Sequence, residues 1–225
     1  GTLNRLVSNP EPDTSRQFPK RLSASGLLAS AADHTLAPGV IPYSINAQPW
    51  ADGTIASRFI ALPGESTVGV HTENNVQEGD LRGEWNYPDG TIIGKTISID
   101  LDAGKPEKLV RLETQILHRD AGSWRSYSYT WNEGQTDATL AGVPGFDRTL
   151  SIADADAPGG IRQQTWHFAG RTECLLCHTT RGGSVYGFNI GQLNRDFDYG
   201  SASDNQLRTL AHIGIFEEPL ATGAK

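Results

Sequence analysis

The segment "SWRSYSYTWNE" (residues 123–133) alternates strictly between two sets of side chains. Successive side chains of a β-strand point to opposite faces of the sheet, so this alternation predicts a strand. The two faces would carry Trp124, Ser126, Ser128 and Thr130 on one side, and Arg125, Tyr127, Tyr129 and Trp131 on the other. An aromatic face of this kind usually packs in a sheet core and less often serves as a platform for a ligand.

Other segments on both sides of this strand have the same character. Each is alternating or rich in β-branched residues, and is bounded by Gly, Pro or Asp. The predicted strands lie in "TIASRFIALPG" (54–64), "TIIGKTISIDLD" (91–102), "KLVRLETQILHRD" (108–120) and "GIRQQTWHFAG" (160–170).

The segments nearer the two ends of the chain lack this strand pattern. "PKRLSASGLLAS" (19–30) predicts a short helix, and "LAPGVIPYSINAQPWADG" (36–53) predicts an irregular loop because it contains several helix and strand breakers. "SDNQLRTLAHIGIF" (203–216) predicts a helix with Ser203 as its N-cap, and Gly214 is placed to end it.

Charge and hydropathy exclude some classes of protein. The chain has 26 acidic residues against 19 Lys and Arg, a formal net charge of −7, with no basic cluster typical of a nucleic-acid interface. No apolar run approaches the length of a membrane span. The chain opens on a polar stretch, so we expect no signal peptide there, and residues 1–17 are predicted to be a disordered leader or linker.

Both cysteines of the chain lie in "RTECLLCHTTRGG" (171–183), three residues apart and directly followed by a histidine. The order Cys174, Cys177, His178 matches the attachment site of c-type haem. Two thiols at this spacing can each form a thioether with a vinyl group of the porphyrin, and the adjacent imidazole can then bind the iron as proximal ligand. The motif therefore predicts one covalent haem c and its iron.

Two other uses of the motif are weaker. A redox dithiol is typical of a thioredoxin-like βαβ setting, which the sequence does not show. A zinc site needs a second pair of ligands, and no further cysteine exists to supply it. Haem attachment also implies a periplasmic or secreted protein, since c-type cytochromes mature outside the bacterial cytoplasm.

The second axial ligand of the iron is not obvious, because the chain contains no methionine. His212, on the predicted C-terminal helix, is the first choice, although it falls away from the apolar stripe of that helix. His167 is the second choice and His71 is a further candidate. His34 and His118 are expected to be surface or turn residues. A less usual ligand such as Lys or Tyr, or an open position, is also compatible with the sequence.

Several other residues have predicted roles around the haem. Tyr186, Phe188 and Leu193 follow the motif closely and are expected to pack against the porphyrin ring. Arg195 or Arg171 could pair with a haem propionate. Three aspartates, Asp137, Asp196 and Asp198, could hold a metal ion, although turn capping is the commoner role of such residues.

Beyond these residues, the sequence resembles a family of bacterial exported c-type cytochrome domains that accompany sugar-dehydrogenase-like or carbohydrate-associated modules. The resemblance covers nearly the whole chain after residue 17, and it implies a monohaem domain with a large β component. It rests on "FPKRLSASGLL" (18–28), "GVIPYSINAQPWADG" (39–53), "YPDGTIIGKT" (87–96), "RLETQILHR" (111–119), "YSYTWNEGQTDATL" (127–140), "ECLLCH" (173–178), "GQLNRDFDYG" (191–200) and "DNQLRTLAHIGIF" (204–216).

The sequence thus predicts an α+β fold with β-rich, sandwich-like antiparallel sheets and a helical C-terminal haem-binding segment. A single domain would span 18–225, with the β-rich part at about 54–168 and the haem-binding part at about 169–218. We expect it to transfer single electrons to or from a redox partner, such as a sugar-oxidising or polysaccharide-active enzyme. The alternatives are a haem enzyme with an open distal site, and a carbohydrate- or partner-binding module that carries a haem.

Overall fold

The computed structural model describes residues 18–70, 85–142, 144–179 and 183–218. Strands account for 42% of the described residues and helices for 14%, and the strands pair in antiparallel sheets. The predicted β-rich α+β class is therefore confirmed. The proposed leader (1–17) and His71 lie outside the described residues.

A six-stranded antiparallel sheet forms the centre of the molecule. Its strands follow one another in chain order, so each pairs with its sequence neighbour. They are β3 (Val40–Tyr43), β4 (Ile55–Ala61), β5 (Ile92–Asp100), β6 (Leu109–Asp120), β7 (Ser123–Trp131) and β8 (Ala138–Leu140).

Shorter elements surround this sheet. Three two-stranded sheets pair β1 (Leu28–Ser30) with β2 (Thr35–Leu36), β9 (Phe146–Ala153) with β10 (Ile161–Phe168), and β11 (Asp196–Asp198) with β12 (Ser203–Asn205). The helices are α1 (Arg171–Cys177), α2 (Ile190–Leu193) and α3 (Gln206–His212), with 3-10 turns at Leu22–Ala24, Pro106–Lys108 and Pro158–Gly160.

One face of the central sheet is a closed aromatic core, which we call the aromatic face. Tyr127, Tyr129 and Trp131 are 2%, 0% and 2% exposed, and they pack with Phe59 and Ile116 of neighbouring strands. The N-terminal segment covers them with Leu22, Leu27 and Leu28. The alternation of residues 123–133 is confirmed. The burial of these rings excludes them as a platform for stacking sugars.

The opposite face is covered by the C-terminal half of the chain. At one end, the β9–β10 hairpin packs Leu150, Ile152, Trp166 and Phe168 onto Ile97, Ile99 and Leu112. At the other end, residues of α2, α3 and the loops beside them pack onto this same face of the sheet, and these residues are Phe188, Leu193, Leu210, Ile215 and Phe216. We call this second side the cavity face, because it forms one wall of a cavity.

Two local predictions are corrected at the N-terminal end. The helix expected over 19–30 is wrong, because the chain makes only a 3-10 turn at Leu22–Ala24 and then enters β1. Ser25 Oγ donates to the Leu22 carbonyl, and Gly26 follows with a φ of 77°, a conformation that ends a right-handed helix. The loop expected over 36–53 contains the edge strand β3.

The helix predicted near the C-terminus is confirmed as α3, but its N-cap is Asn205 rather than Ser203. The Asn205 side chain accepts from the Leu207 N–H at 3.0 Å, while Ser203 belongs to β12. Gly214 follows the helix with a φ of 76°. No helix in the described part of the chain is long and apolar enough to cross a membrane.

Candidate functional site around the cysteine motif

Helix α1 presents the cysteine motif. Cys174 and Cys177 lie one turn apart, so both thiols belong to the same side of the helix. The helix starts after Gly170, whose N–H donates to the Glu173 carboxylate at 2.5 Å. It ends at His178, whose backbone (φ −76°, ψ 65°) leaves the helical conformation.

Contacts with β7 fix α1 on the central sheet. Ser126 Oγ donates to the Arg171 carbonyl at 2.7 Å, and Arg171 Nε donates back to the Ser126 carbonyl at 3.3 Å. The Arg171 guanidinium also lies 4.7 Å from the centre of the Tyr127 ring. Because Ser126 sits on the cavity face of β7, these bonds hold the first turn of α1 over that face.

A cavity of about 590 Å³ separates α1 and residues 185–187 from the sheet. This volume lies within the range of roughly 300–1,000 Å³ that is typical of sites for cofactors and small ligands. Cys174, Cys177 and His178 all line it. Much of the remaining wall is apolar and is formed by Ile45, Pro49, Ile93, Leu117 and Val185.

The His178 imidazole is oriented by a backbone carbonyl. Its Nδ1 lies 2.6 Å from the Ser184 carbonyl oxygen. A carbonyl can only accept, so we assign the proton to Nδ1, which leaves the lone pair on Nε2. Burial lowers the pKa of His178; the Ser184 contact opposes this shift and the charge of Lys95 adds to it. Both the tautomer and the lowered pKa suit an imidazole that binds a metal through Nε2.

Tyr186 supports the imidazole from one side. Its ring centre lies 5.2 Å from that of His178, and its hydroxyl donates to the Cys177 carbonyl. Tyr186 also lines the cavity, and its predicted packing against a haem stays a prediction. Phe188 and Leu193 are 1% and 0% exposed and belong to the core behind the cavity.

Two cations lie on the sheet wall of the cavity. Arg58 on β4 and Lys95 on β5 are cross-strand neighbours, and both line the cavity. Arg58 donates to Gln48 Oε1 at 2.8 Å. Within the described residues, no carboxylate lies within 4.0 Å of the charged group of either residue. Burial lowers the pKa of Lys95, and the Arg58 charge lowers it further, against the opposing effects of Glu113 and Cys174.

Glu113 is a fully buried carboxyl group next to this wall. It accepts from Ser128 Oγ at 2.7 Å, from Gln115 Nε2 at 3.0 Å and from Trp166 Nε1 at 3.3 Å. Burial nevertheless raises its pKa, and these hydrogen bonds and Lys95 only oppose that rise. The carboxyl group is therefore disposed to hold a proton.

The histidines predicted as second axial ligands lie elsewhere. His212 is exposed at the end of α3, and His167 on β10 lies 2.6 Å from Asp147 and 3.2 Å from Glu173. His34 is on the aromatic side, 2.8 Å from Thr96 Oγ1, and His118 packs on Phe18. No histidine of the described ranges other than His178 lines the cavity. The ligand roles of His212 and His167 stay predictions, as does that of His71.

The other predicted site residues also lie away from the cavity. Arg195 donates to the Ile45 carbonyl at 2.6 Å, and neither it nor Arg171 lines the wall. Asp137 accepts from the N–H and hydroxyl of Ser23, and Asp198 accepts from a following N–H in its turn, as turn-capping residues do. In the part of the chain that the structure describes, no group of three metal-binding side chains is found.

The sequence reasoning missed Arg58 and Lys95. A signal existed for Lys95, since it occupies the same alternating set of β5 as Ile93, Ile97 and Ile99. A charged residue in an otherwise apolar, inward-facing set indicates a special environment. Ser184 could not have been found this way, because it contributes only a backbone carbonyl.

Comparison with known proteins finds no significant match. No protein-family model matches the chain, and neither a curated protein nor a solved structure is significantly similar to it. The resemblance to exported c-type cytochrome domains therefore rests on the sequence segments alone.

Proposed function

We propose that this protein is an exported c-type cytochrome domain that binds one haem covalently through Cys174 and Cys177, with His178 as the proximal iron ligand. The observation that carries the proposal is the convergence of this motif on one large cavity. A chain can contain two cysteines and a histidine in sequence without leaving space beside them for a porphyrin. Here both thiols and the imidazole border a space of about 590 Å³.

The residues around the cavity fit a haem in three respects. Aliphatic side chains from β5, from β6 and from the loops that contain Ile45 and Val185 form much of its wall, which suits a flat apolar macrocycle. The Nδ1–H of His178 is engaged by the Ser184 carbonyl, as the free ring nitrogen of a metal-binding histidine usually is. Arg58 supplies positive charge to a site that would receive two propionates.

When bound, the haem iron would supply a one-electron redox centre. The chain's own residues would then hold and shield it. The two thioethers would fix the porphyrin to α1, Ser184 and Tyr186 would keep the imidazole in place, and the sheet wall would exclude water. Exclusion of water and burial are among the factors that set the potential of such a centre.

The proposal includes a periplasmic or secreted location and a redox partner protein. A sugar-oxidising or polysaccharide-active enzyme is the partner class that the sequence resemblance implies. The net charge of −7 favours a partner with a basic or neutral docking face. No feature of the sequence favours nucleic acid.

Production in bacteria that express the cytochrome c maturation machinery tests the proposal. The purified protein should retain haem after denaturation and give a c-type pyridine haemochrome spectrum. Cys174→Ser and Cys177→Ser should each reduce the number of thioethers, and the double variant should carry no covalent haem. Leu176→Ala is the matched control, since Leu176 lies on the same helix but is 78% exposed and outside the cavity wall.

Absence of covalent haem from the wild type under these conditions would refute the proposal. Metal analysis of the same preparation separates the remaining uses of the motif, because stoichiometric zinc would identify a zinc site. A ferric high-spin spectrum that shifts on addition of cyanide or peroxide would identify instead a haem enzyme with an open distal position.

A further inference from the structure

The second axial position of the iron is the open question of the proposed site. The chain has no methionine, and the cavity is lined by no described histidine except His178. A protein ligand must come from a side chain that borders the cavity and carries a donor atom. Among the described residues on its wall, the side chains outside the motif with an amine or a phenol group that can bind haem iron are Lys95, Tyr43 and Tyr186.

The two tyrosines are poor candidates. The hydroxyl of Tyr186 donates to the Cys177 carbonyl, so this residue belongs to the same side of the cavity as the motif. Tyr43 is 4% exposed and packs edge-on against Phe188 at 5.0 Å. Its burial raises the pKa of its hydroxyl, which disfavours the phenolate that would bind iron.

Lys95 is placed on the wall that faces the motif. It lies on β5 within the central sheet, between Arg58 and Gln115 on the adjacent strands, and all three residues line the cavity. Lys95 is also close enough to interact electrostatically with both the Cys174 thiol and the His178 imidazole. Lys95 and the three residues of the motif therefore border the same cavity from opposite walls.

The surroundings of Lys95 favour the uncharged amine. No carboxylate of the described residues forms an ion pair with it, its side chain is largely buried, and the permanent positive charge of Arg58 is its cross-strand neighbour. Desolvation and a like charge both disfavour an ammonium group. Glu113 is the one carboxyl group of the described residues that acts on Lys95, and it is itself disposed to be protonated.

We propose that Lys95 Nζ is the second axial ligand of the haem iron, opposite His178. The inference rests on the proposed haem attachment and goes beyond it. On binding, the lysine would lose its ammonium proton to solvent and donate the freed lone pair to the iron. The iron would then be six-coordinate with a nitrogen ligand at each axial position, which suits electron transfer rather than reactions that need an open iron position.

Two substitutions separate ligation from a merely electrostatic role. Lys95→Ala removes both the donor atom and the charge, whereas Lys95→Arg keeps a cation that could pair with a propionate but cannot bind iron. In the haem-loaded protein we expect a low-spin ferric spectrum for the wild type and a high-spin spectrum for both variants. Methylamine should restore the low-spin spectrum of Lys95→Ala, because it supplies the missing amine.

Each other outcome has a definite meaning. A low-spin spectrum retained by Lys95→Arg and lost only in Lys95→Ala would overturn ligation in favour of propionate pairing. A low-spin spectrum unchanged in both variants, or lost in His212→Ala or His71→Ala, would overturn it in favour of another ligand. A high-spin wild type would overturn it in favour of an open site. Covalent haem in these preparations keeps the proposed function intact in all three cases.

The wild type alone provides a test that needs no substitution. Near-infrared magnetic circular dichroism of the ferric protein distinguishes imidazole–amine from bis-imidazole ligation, and we expect the former. A bis-imidazole signature would overturn the inference even if the Lys95 variants failed to fold. Absence of covalent haem from the wild type would overturn both the inference and the proposed function.

Discussion

The two faces of the central sheet are built by alternate residues of the same strands, yet they differ in chemistry. On the aromatic face, Phe59, Tyr127 and Tyr129 are at most 2% exposed and pack against the N-terminal segment. On the cavity face, the neighbouring positions are Arg58, Ser126 and Ser128, which are small or polar. Because the side-chain period of a strand is two, one sequence can encode both faces independently.

The difference separates stability from binding. Close packing of large apolar side chains stabilises the sheet from one side and leaves no room for a ligand there. The other side can then carry small and polar residues around a cavity, because the sheet does not depend on close packing at those positions. Substitutions on the two faces should therefore differ in their effects on the free energy of unfolding.

The largest expected effect on stability follows from removing a buried aromatic side chain. Phe59→Ala should lower the free energy of unfolding by about 3–5 kcal/mol, as is usual for a buried aromatic residue. Lys95→Ala in the haem-free protein should change it by less than about 0.5 kcal/mol, because Lys95 Nζ makes no hydrogen bond or ion pair with the described residues. Urea unfolding of both variants measures the difference between these two changes in unfolding free energy. Equal losses of stability in the two variants would contradict the prediction.

A smaller loss is expected from overpacking the same region. A Cβ at Gly94 would lie 2.1 Å from Cζ of Phe59, so Gly94→Ala should cost about 1–3 kcal/mol. Adding Phe59→Leu should recover part of this loss, since the two positions share one space. Gly142→Ala is the control: the nearest atom to its added methyl group is Pro144 Cδ at 3.7 Å, and its unfolding free energy should match that of the wild type.

Asp137 ties the N-terminal segment over the aromatic face, through bonds from the N–H (3.1 Å) and the hydroxyl (2.8 Å) of Ser23. Desolvation opposes ionisation of Asp137, but the Ser23 hydrogen bonds, together with the Ala138 N–H and the Arg21 charge, outweigh it and lower its pKa. A lowered pKa contributes stability at neutral pH that is lost as the pH falls through the folded-state value. Asp137→Asn should therefore cost about 1 kcal/mol at pH 7. Thermal melts should show this difference narrowing in acid, and a loss that does not depend on pH would contradict it.

The smallest expected effect on stability is at Glu113 on the cavity face, where the substitution should stabilise the protein rather than destabilise it. Its raised pKa means that the protonated form is favoured on folding, so its contribution is present at acidic pH and is lost as the pH rises through the folded-state value. Glu113→Gln keeps a neutral hydrogen-bonding group and should melt slightly above the wild type at pH 7. The melting temperatures of the variant and the wild type should converge at acidic pH. A variant less stable than the wild type at pH 7 would show that the ionised form is the native one.

Local patterns predicted much of the scaffold. The period-two alternation of 123–133 indicated both the strand and its aromatic face, because the pattern reports directly which side chains share a side. The helix predicted over residues 19–30 was wrong, because Gly26 adopts a positive φ there and the leucines cover the aromatic face from a 3-10 turn and a strand. Tertiary packing outweighs a propensity worth a fraction of a kcal/mol per residue.

The sequence by itself determined the Cys-x-x-Cys-His motif, the absence of methionine and the strand-rich architecture, since each depends only on residue types and their spacing. Only the tertiary structure decided what surrounds the motif. It put the Ser184 carbonyl on the His178 ring, left His212 and His167 outside the cavity, and brought Lys95 from a strand about 80 residues earlier to the wall that faces "ECLLCH". Such neighbours depend on how the strands and the helix pack, and no local spacing encodes that.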